Sequence, residues 1–167
     1  MYERVILAYD GTLEGAVALR EGAILAKQHG ARVFILCVVP ESGGLRVAEG
    51  AYAGAVGQQM ERYRELLERG VERLKRLGMK PAGRLVIGDP AKAIGAFAKE
   101  VKADLVVVGH HRRNMLERWW SGPTGAYISD YINCTLLIAR NAVSDEDFEA
   151  RMRAAEAKPG AEAEARR

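Results

Sequence analysis

Near its start the chain carries Val5-Ile6-Leu7-Ala8-Tyr9, closed by Asp10-Gly11-Thr12. A near-continuous apolar run without polar alternation forms a strand buried on both faces, and the turn-forming residues end it. Helical spacing follows at once: Gly15, Ala18, Leu19, Gly22, Leu25 and Ala26 make one narrow face of small side chains, which lets a helix lie close to a sheet. Outward from there the pair repeats. Val33–Val39, Leu105–Val108 and Leu136–Ala139 carry the same strand signature, Gly83–Ile87 a weaker one, and helical patterns lie between them. Alternation of this kind predicts an α/β fold, a doubly wound five-stranded parallel sheet of order 3-2-1-4-5 with helices on both faces.

The second helix is read from Met60, Tyr63, Leu67, Val71 and Leu74 on one stripe up to Gly78, its charged remainder solvated. Before it, Glu41–Gln58 holds five glycines and little periodicity and reads as a long connection. The third helix opens at Asp89-Pro90, where Asp caps free amides and Pro suits the first turn, and buries Ile94, Phe97 and Val101. A fourth is expected from Gly122-Pro123, presenting Tyr127, Ile128 and Tyr131. Beyond Arg140, Ser144 caps a short helix with Phe148 and Met152, and Lys158-Pro159-Gly160 ends it before a frayed tail. The expected organisation is an α/β domain over 1–140 and a helical extension over 141–167.

The 167 residues, 49% hydrophobic and 28% charged, suit one packed domain and exclude a chain disordered throughout. No uncharged stretch exceeds the eleven residues of 50–60, whereas a spanning helix needs roughly 20 apolar ones, so membrane insertion is not expected. Glu3, Arg4 and Asp10 leave no secretory apolar segment, and a cytoplasmic location is expected. Cys37 and Cys134 fall in separate strands without CxxC spacing or a disulfide framework, each where a small buried hydrophobe belongs. The net charge of +3 is too small an excess for a nucleic-acid footprint, and no basic run alternates with aromatics.

In an open parallel sheet, ligands bind beyond the carboxyl ends of the strands where neighbouring connections diverge. With the first and fourth strands central, Asp10-Gly11-Thr12 and the segment from Gly109 to Thr124 flank that crevice. Gly109 and Gly122 let backbone amides turn inward, and a helix start at Pro123 adds partial positive charge suited to an anion. Arg112, Arg113 and Arg118 bring guanidinium forks that suit phosphate, and Ser121 or Thr124 offers a hydroxyl. A second reading stays open beside this one, in which Asp10 caps the turn into the first helix and the arginines are a solvated loop. Adjacent His110 and His111 diverge, with His29 far off at the end of the first helix, so no metal set is expected. Walker, nucleophile-elbow and HExxH motifs are absent, and no Ser, His and Asp converge on the crevice, so no catalytic residue is expected. Trp119-Trp120 is read as a packing pair rather than a stacking platform.

In their order and spacing, the strand ending in Asp10-Gly11-Thr12, the strand ending Cys37-Val38-Val39, Gly88-Asp89-Pro90 before a helix, Asp104-Leu105-Val106-Val107-Val108-Gly109 and the closing strand to Arg140 resemble the universal stress protein family. The resemblance covers residues 1 to about 140 and implies a regulatory, ligand-sensing module of the stress response. It also implies an adenine-nucleotide pocket, for ATP or AMP, in which the positions of Asp10 and Val38 meet base and ribose. Nucleotide-binding members cradle phosphate with a glycine, a second glycine after two residues, and, nine residues on, a glycine followed by Ser or Thr. Gly109 and Gly122 match, but Arg112 replaces the middle glycine, Pro123 the hydroxyl residue, and Gly125 the next family hydroxyl. A Cβ resists positive φ and proline lacks an N–H, so the phosphate half is degraded while the adenosine half is kept. The expected ligand-binding residues are Asp10, Gly11, Thr12, Val38, Gly88, Gly109, Arg112, Arg113, Arg118, Gly122 and Thr124, with no metal ligand. Relatives pair their last strands antiparallel across a twofold axis, and the apolar edge Leu136–Ala139 implies the same homodimer here, with Thr135 where the family usually has proline. A dimeric interaction protein that binds no nucleotide and a weak nucleotide hydrolase are the alternatives. Gly109-His110-His111 also resembles the loop of members without the nucleotide signature.

Overall fold

Each apolar run delivers its side chains alternately to two sides of one sheet, and the helices divide between those sides accordingly. A computed structural model of the chain describes residues 1–40, 49–110, 128–140 and 143–157. The elements are β1 (Arg4–Ala8), α1 (Leu13–His29), β2 (Arg32–Pro40), α2 (Glu49–Arg76), β3 (Ala82–Gly88), α3 (Pro90–Val101), β4 (Leu105–Gly109), a 3-10 turn (Ile128–Asp130), β5 (Thr135–Ala139) and α4 (Asp145–Ala157). All strand pairs are parallel, and the order is β3-β2-β1-β4-β5, as the alternation requires.

Val5 and Leu7 of β1, Val33 and Ile35 of β2, and Leu105 and Val107 of β4 face α1, α2 and α4 in one buried cluster. Ile6, Ala8, Phe34, Leu36, Val106 and Val108 point the other way, onto α3 and Ile128 of the 3-10 turn. The small residues of α1 act as read. A Cβ on Gly22 would lie 2.2 Å from Leu7 Cδ2 and 3.2 Å from Val107 Cγ2, so any larger residue would have to displace Leu7 from the core for α1 to lie this close to the sheet.

The structure corrects the reading of Glu41–Gln58 as one connection. Helix α2 already begins at Glu49, and 41–48 lie outside the described residues. Ala51, Ala53 and Ala55 are strong helix formers, and each interspersed glycine costs only about 1 kcal/mol relative to alanine, which a 28-residue helix packed on β2 and β3 absorbs. The expected start of a fourth helix at Gly122-Pro123 also lies outside the described residues, where Ile128–Asp130 is the first described piece. The Ser144 cap holds, with Asp147 N–H donating to its Oγ at 3.1 Å. The helix it starts, α4, packs on α1 through buried Phe148, Met152 and Ala155. Arg20 Nη1 donates to Val143 O at 2.9 Å with its guanidinium over the Phe148 ring, and Lys27 Nζ joins Leu77 O to the Glu156 carboxylate. Among the described residues no helix is long and apolar enough to cross a membrane.

Candidate functional site

Strand β1 leaves the sheet early, and that departure makes the site. Tyr9 N–H donates to Leu36 O at 2.9 Å, and then Gly11, at φ +79°, turns the chain into α1. Asp10 Oδ1 accepts from Thr12 N–H at 3.0 Å and from the Thr12 hydroxyl at 2.6 Å, while Thr12 Oγ1 accepts from Gly15 N–H at 3.0 Å. Thr12 is therefore the cap of α1, and Asp10 stands one bond behind it, bracing the capping hydroxyl. None of these bonds uses Asp10 Oδ2. Gly15 makes room for the carboxylate, since a Cβ there would lie 2.4 Å from Asp10 Oδ1.

Val38 sits just past the end of β1. Its side chain is buried on the α3 side of the sheet, so it offers a ligand only its backbone. N–H and C=O directions alternate along a parallel strand, and because Leu36 O faces β1, the backbone groups of Val38 face the space that β1 has vacated. Gly109, at the end of neighbouring β4, owes its identity to packing. A Cβ there would lie 2.5 Å from the backbone of Glu14 in the first turn of α1. The next amide, His110 N–H, donates to Ala139 O at 2.9 Å, and Arg140 Nη2 donates to His110 Nε2 at 2.8 Å. Gly88 lies along the same edge of the sheet, beside Pro40 and two strands from β1, with φ +147° ahead of the Asp89 cap of α3.

Opposite the β1–α1 turn stands α2, with Leu66 over Gly11 and Gly70 against Tyr9 and Ile35. Between turn and helix opens a cleft of about 810 Å³, lined by Asp10, Thr12, Gln58, Gln59, Glu61, Arg62, Tyr63, Glu65 and Leu66. Its α2 wall escapes a sequence reading that ends the connection at Gln58. The i, i+4, i+7 rows Gln58-Arg62-Glu65 and Gln59-Tyr63-Leu66 are the signal that would have found it. Beneath the turn, burial together with the Asp10 charge pushes the Cys37 thiol up to about 12. Burial, then Cys37, raises the Tyr9 hydroxyl, while Arg73 and Arg69 oppose the shift. The structure thus brings Asp10 and Thr12 to the cleft, with Gly11 under Leu66 between them, and Val38 and Gly109 to the strand ends around β1. The expected contributions of Arg112, Arg113, Arg118, Gly122 and Thr124 lie outside the described residues, as does the Trp119-Trp120 pair. Among the described residues no group of three His, Cys, Asp or Glu is placed to hold a metal ion.

Among the described residues, Asp10 Oδ2 takes no part in the Thr12 bonds and Val38 has no register partner on β1. Comparison with known proteins extends this picture. A family model described as the universal stress protein family matches residues 1–140. A universal stress protein of Methanocaldococcus jannaschii is 26% identical over 141 residues, covering 84% of this chain and 83% of its own length. Among solved structures, a universal stress protein in complex with cAMP superimposes with a TM-score of 0.61 at 22% identity, covering 85% of this chain and 99% of its own. A family protein of Arabidopsis thaliana with AMP bound gives 0.59 at 15% identity, over 86% of this chain and 94% of its own.

Proposed function

The chain belongs to the universal stress protein family, and on that premise we propose that it is a non-catalytic, ligand-sensing module of the stress response that takes an adenine nucleotide, AMP or ATP, beyond the carboxyl ends of β1 and β4. The observation that supports this reading is the early exit of β1, whose register with β2 ends at Leu36, so that Val38 has no β1 partner and the chain turns at Asp10 into α1. The cAMP and AMP complexes of proteins with this fold support the choice of ligand class. Asp10, Gly11, Thr12 and Val38 hold the nucleoside, with Gly88 and Gly109 shaping the rim. Arg112, Arg113 and Arg118, with Gly122 and Thr124, take the phosphate in place of the family's glycine and hydroxyl donors. The protein works in the cytoplasm, where its two free cysteines suit a reducing compartment. It pairs with a second copy through β5, an edge strand that carries Leu136, Leu137 and Ile138.

Calorimetric titration of the full chain with AMP and ATP tests the site. AMP binding is expected, with Arg112→Ala weakening it about tenfold through the loss of a charge-assisted phosphate contact. Unchanged affinity in that variant removes the arginines from the site, and phosphate release from ATP makes the protein a hydrolase instead. Light scattering at micromolar concentration is expected to give twice the chain mass, and a monomer contradicts the β5 pairing.

A further inference from the structure

The cleft against α2 has a chemistry of its own. Among the described residues its charged groups are Asp10, Glu61, Glu65 and Arg62, and Glu61 is already paired with Arg64 at 2.6 Å. Two carboxylates then face one guanidinium, which repels an entering anion. The remaining polar groups suit a neutral partner. Gln58 and Gln59 each present a donor and an acceptor, the pairing found along the edge of a nucleobase, and the unused Asp10 Oδ2 accepts hydroxyl donors such as those of ribose. Tyr63 and Leu66 add apolar surface for a ring. A volume of about 810 Å³ falls within the range, roughly 300–1,000 Å³, of small-molecule sites.

Resting on the nucleotide reading above, we propose that α2 forms the specificity wall of the site. The nucleoside enters between the β1–α1 turn and Gln58, Gln59 and Tyr63, and the phosphate is kept out of this cleft, on the β4 side of the turn. Recognition here is of an uncharged, donor-rich group, so adenosine is held by the same α2 contacts as AMP.

Adenosine and AMP, titrated separately into the full chain, test this. The double change Gln58→Ala with Gln59→Ala is expected to weaken both ligands by the same factor, about tenfold, because the lost hydrogen bonds go to the part they share. Alanine preserves the helix, and an unchanged circular dichroism spectrum verifies it. If the double change disturbs α2, exposed Gln58→Ala alone is expected to weaken both ligands about threefold. A double variant that folds and binds AMP as the unaltered chain does overturns the α2 wall while leaving the nucleotide reading intact. Weakening of AMP alone also overturns it, since that places the phosphate against α2. An unaltered chain that binds neither adenosine nor AMP overturns both readings.

Discussion

Asp10 and Asp89 both stand at the carboxyl end of a parallel strand, beside a glycine of positive φ and just ahead of a helix, yet their carboxylates are used differently. Asp89 caps α3 itself, its Oδ1 accepting Lys92 N–H at 3.0 Å, with Pro90 at the first helical position. At the end of β1 the cap is the Thr12 hydroxyl, and Asp10 holds that hydroxyl from behind. One acceptor is enough to start a helix. The β3 turn uses its carboxylate for that purpose, whereas the β1 turn delegates capping to threonine and keeps a carboxylate at the mouth of a cleft.

The contrast can be broken most severely at the packing that holds the β1 turn in place. Gly109→Ala sets a Cβ against the Glu14 backbone, which cannot rotate away, and is expected to cost about 3 kcal/mol in urea denaturation. Next comes Gly15→Ala, whose Cβ collides with Asp10 Oδ1. A loss of about 2 kcal/mol is expected, together with lost AMP binding as the carboxylate is displaced. The corresponding third helical position after the Asp89 cap already carries Lys92, so no such conflict exists there.

Thr12→Ala removes the cap and the partner of Asp10 together and is expected to cost about 1.5 kcal/mol, against about 1 kcal/mol for Asp89→Ala. The sharper readout is affinity, because only the Thr12 change should weaken AMP. Equal effects of the two substitutions on AMP would erase the distinction between the turns. A separate effect concerns pH. The Cys37 thiol titrates higher in the folded chain, about 12, than its ordinary value of 9.0, so its stabilising contribution is complete below pH 9 and declines as pH climbs toward 12. Thermal melts across that window are expected to show the decline, and Cys37→Ala to flatten it.

Much of this fold was legible because β1, β2, β4 and β5 are apolar runs whose alternate residues find a core on each side of the sheet. The signal of β3 was weaker for a physical reason. The first three residues of that strand, Ala82, Gly83 and Arg84, are exposed, so no continuous apolar run was needed there. Asp89 and Ser144 declared themselves as caps by type and position. At the β1 turn two capping residues, Asp10 and Thr12, lie within three positions, and only the positive φ of Gly11 decides which of them reaches Gly15. The role of Gly109 was hidden because the backbone it must clear belongs to Glu14, distant in the chain. Gly50, Gly54 and Gly57 masked the start of α2, and with it the Gln58 and Gln59 wall of the cleft.

Amide chemical-shift mapping of the full chain during AMP titration reads both turns in one experiment. Saturating shifts are expected at Gly11, Thr12 and Gly15 in the β1 turn and at Val38 across the vacated edge, with Ala91 and Lys92 at the start of α3 unmoved. Shifts confined to the start of α3, or an absence of shifts at saturating AMP, would contradict a nucleotide site at the β1 turn.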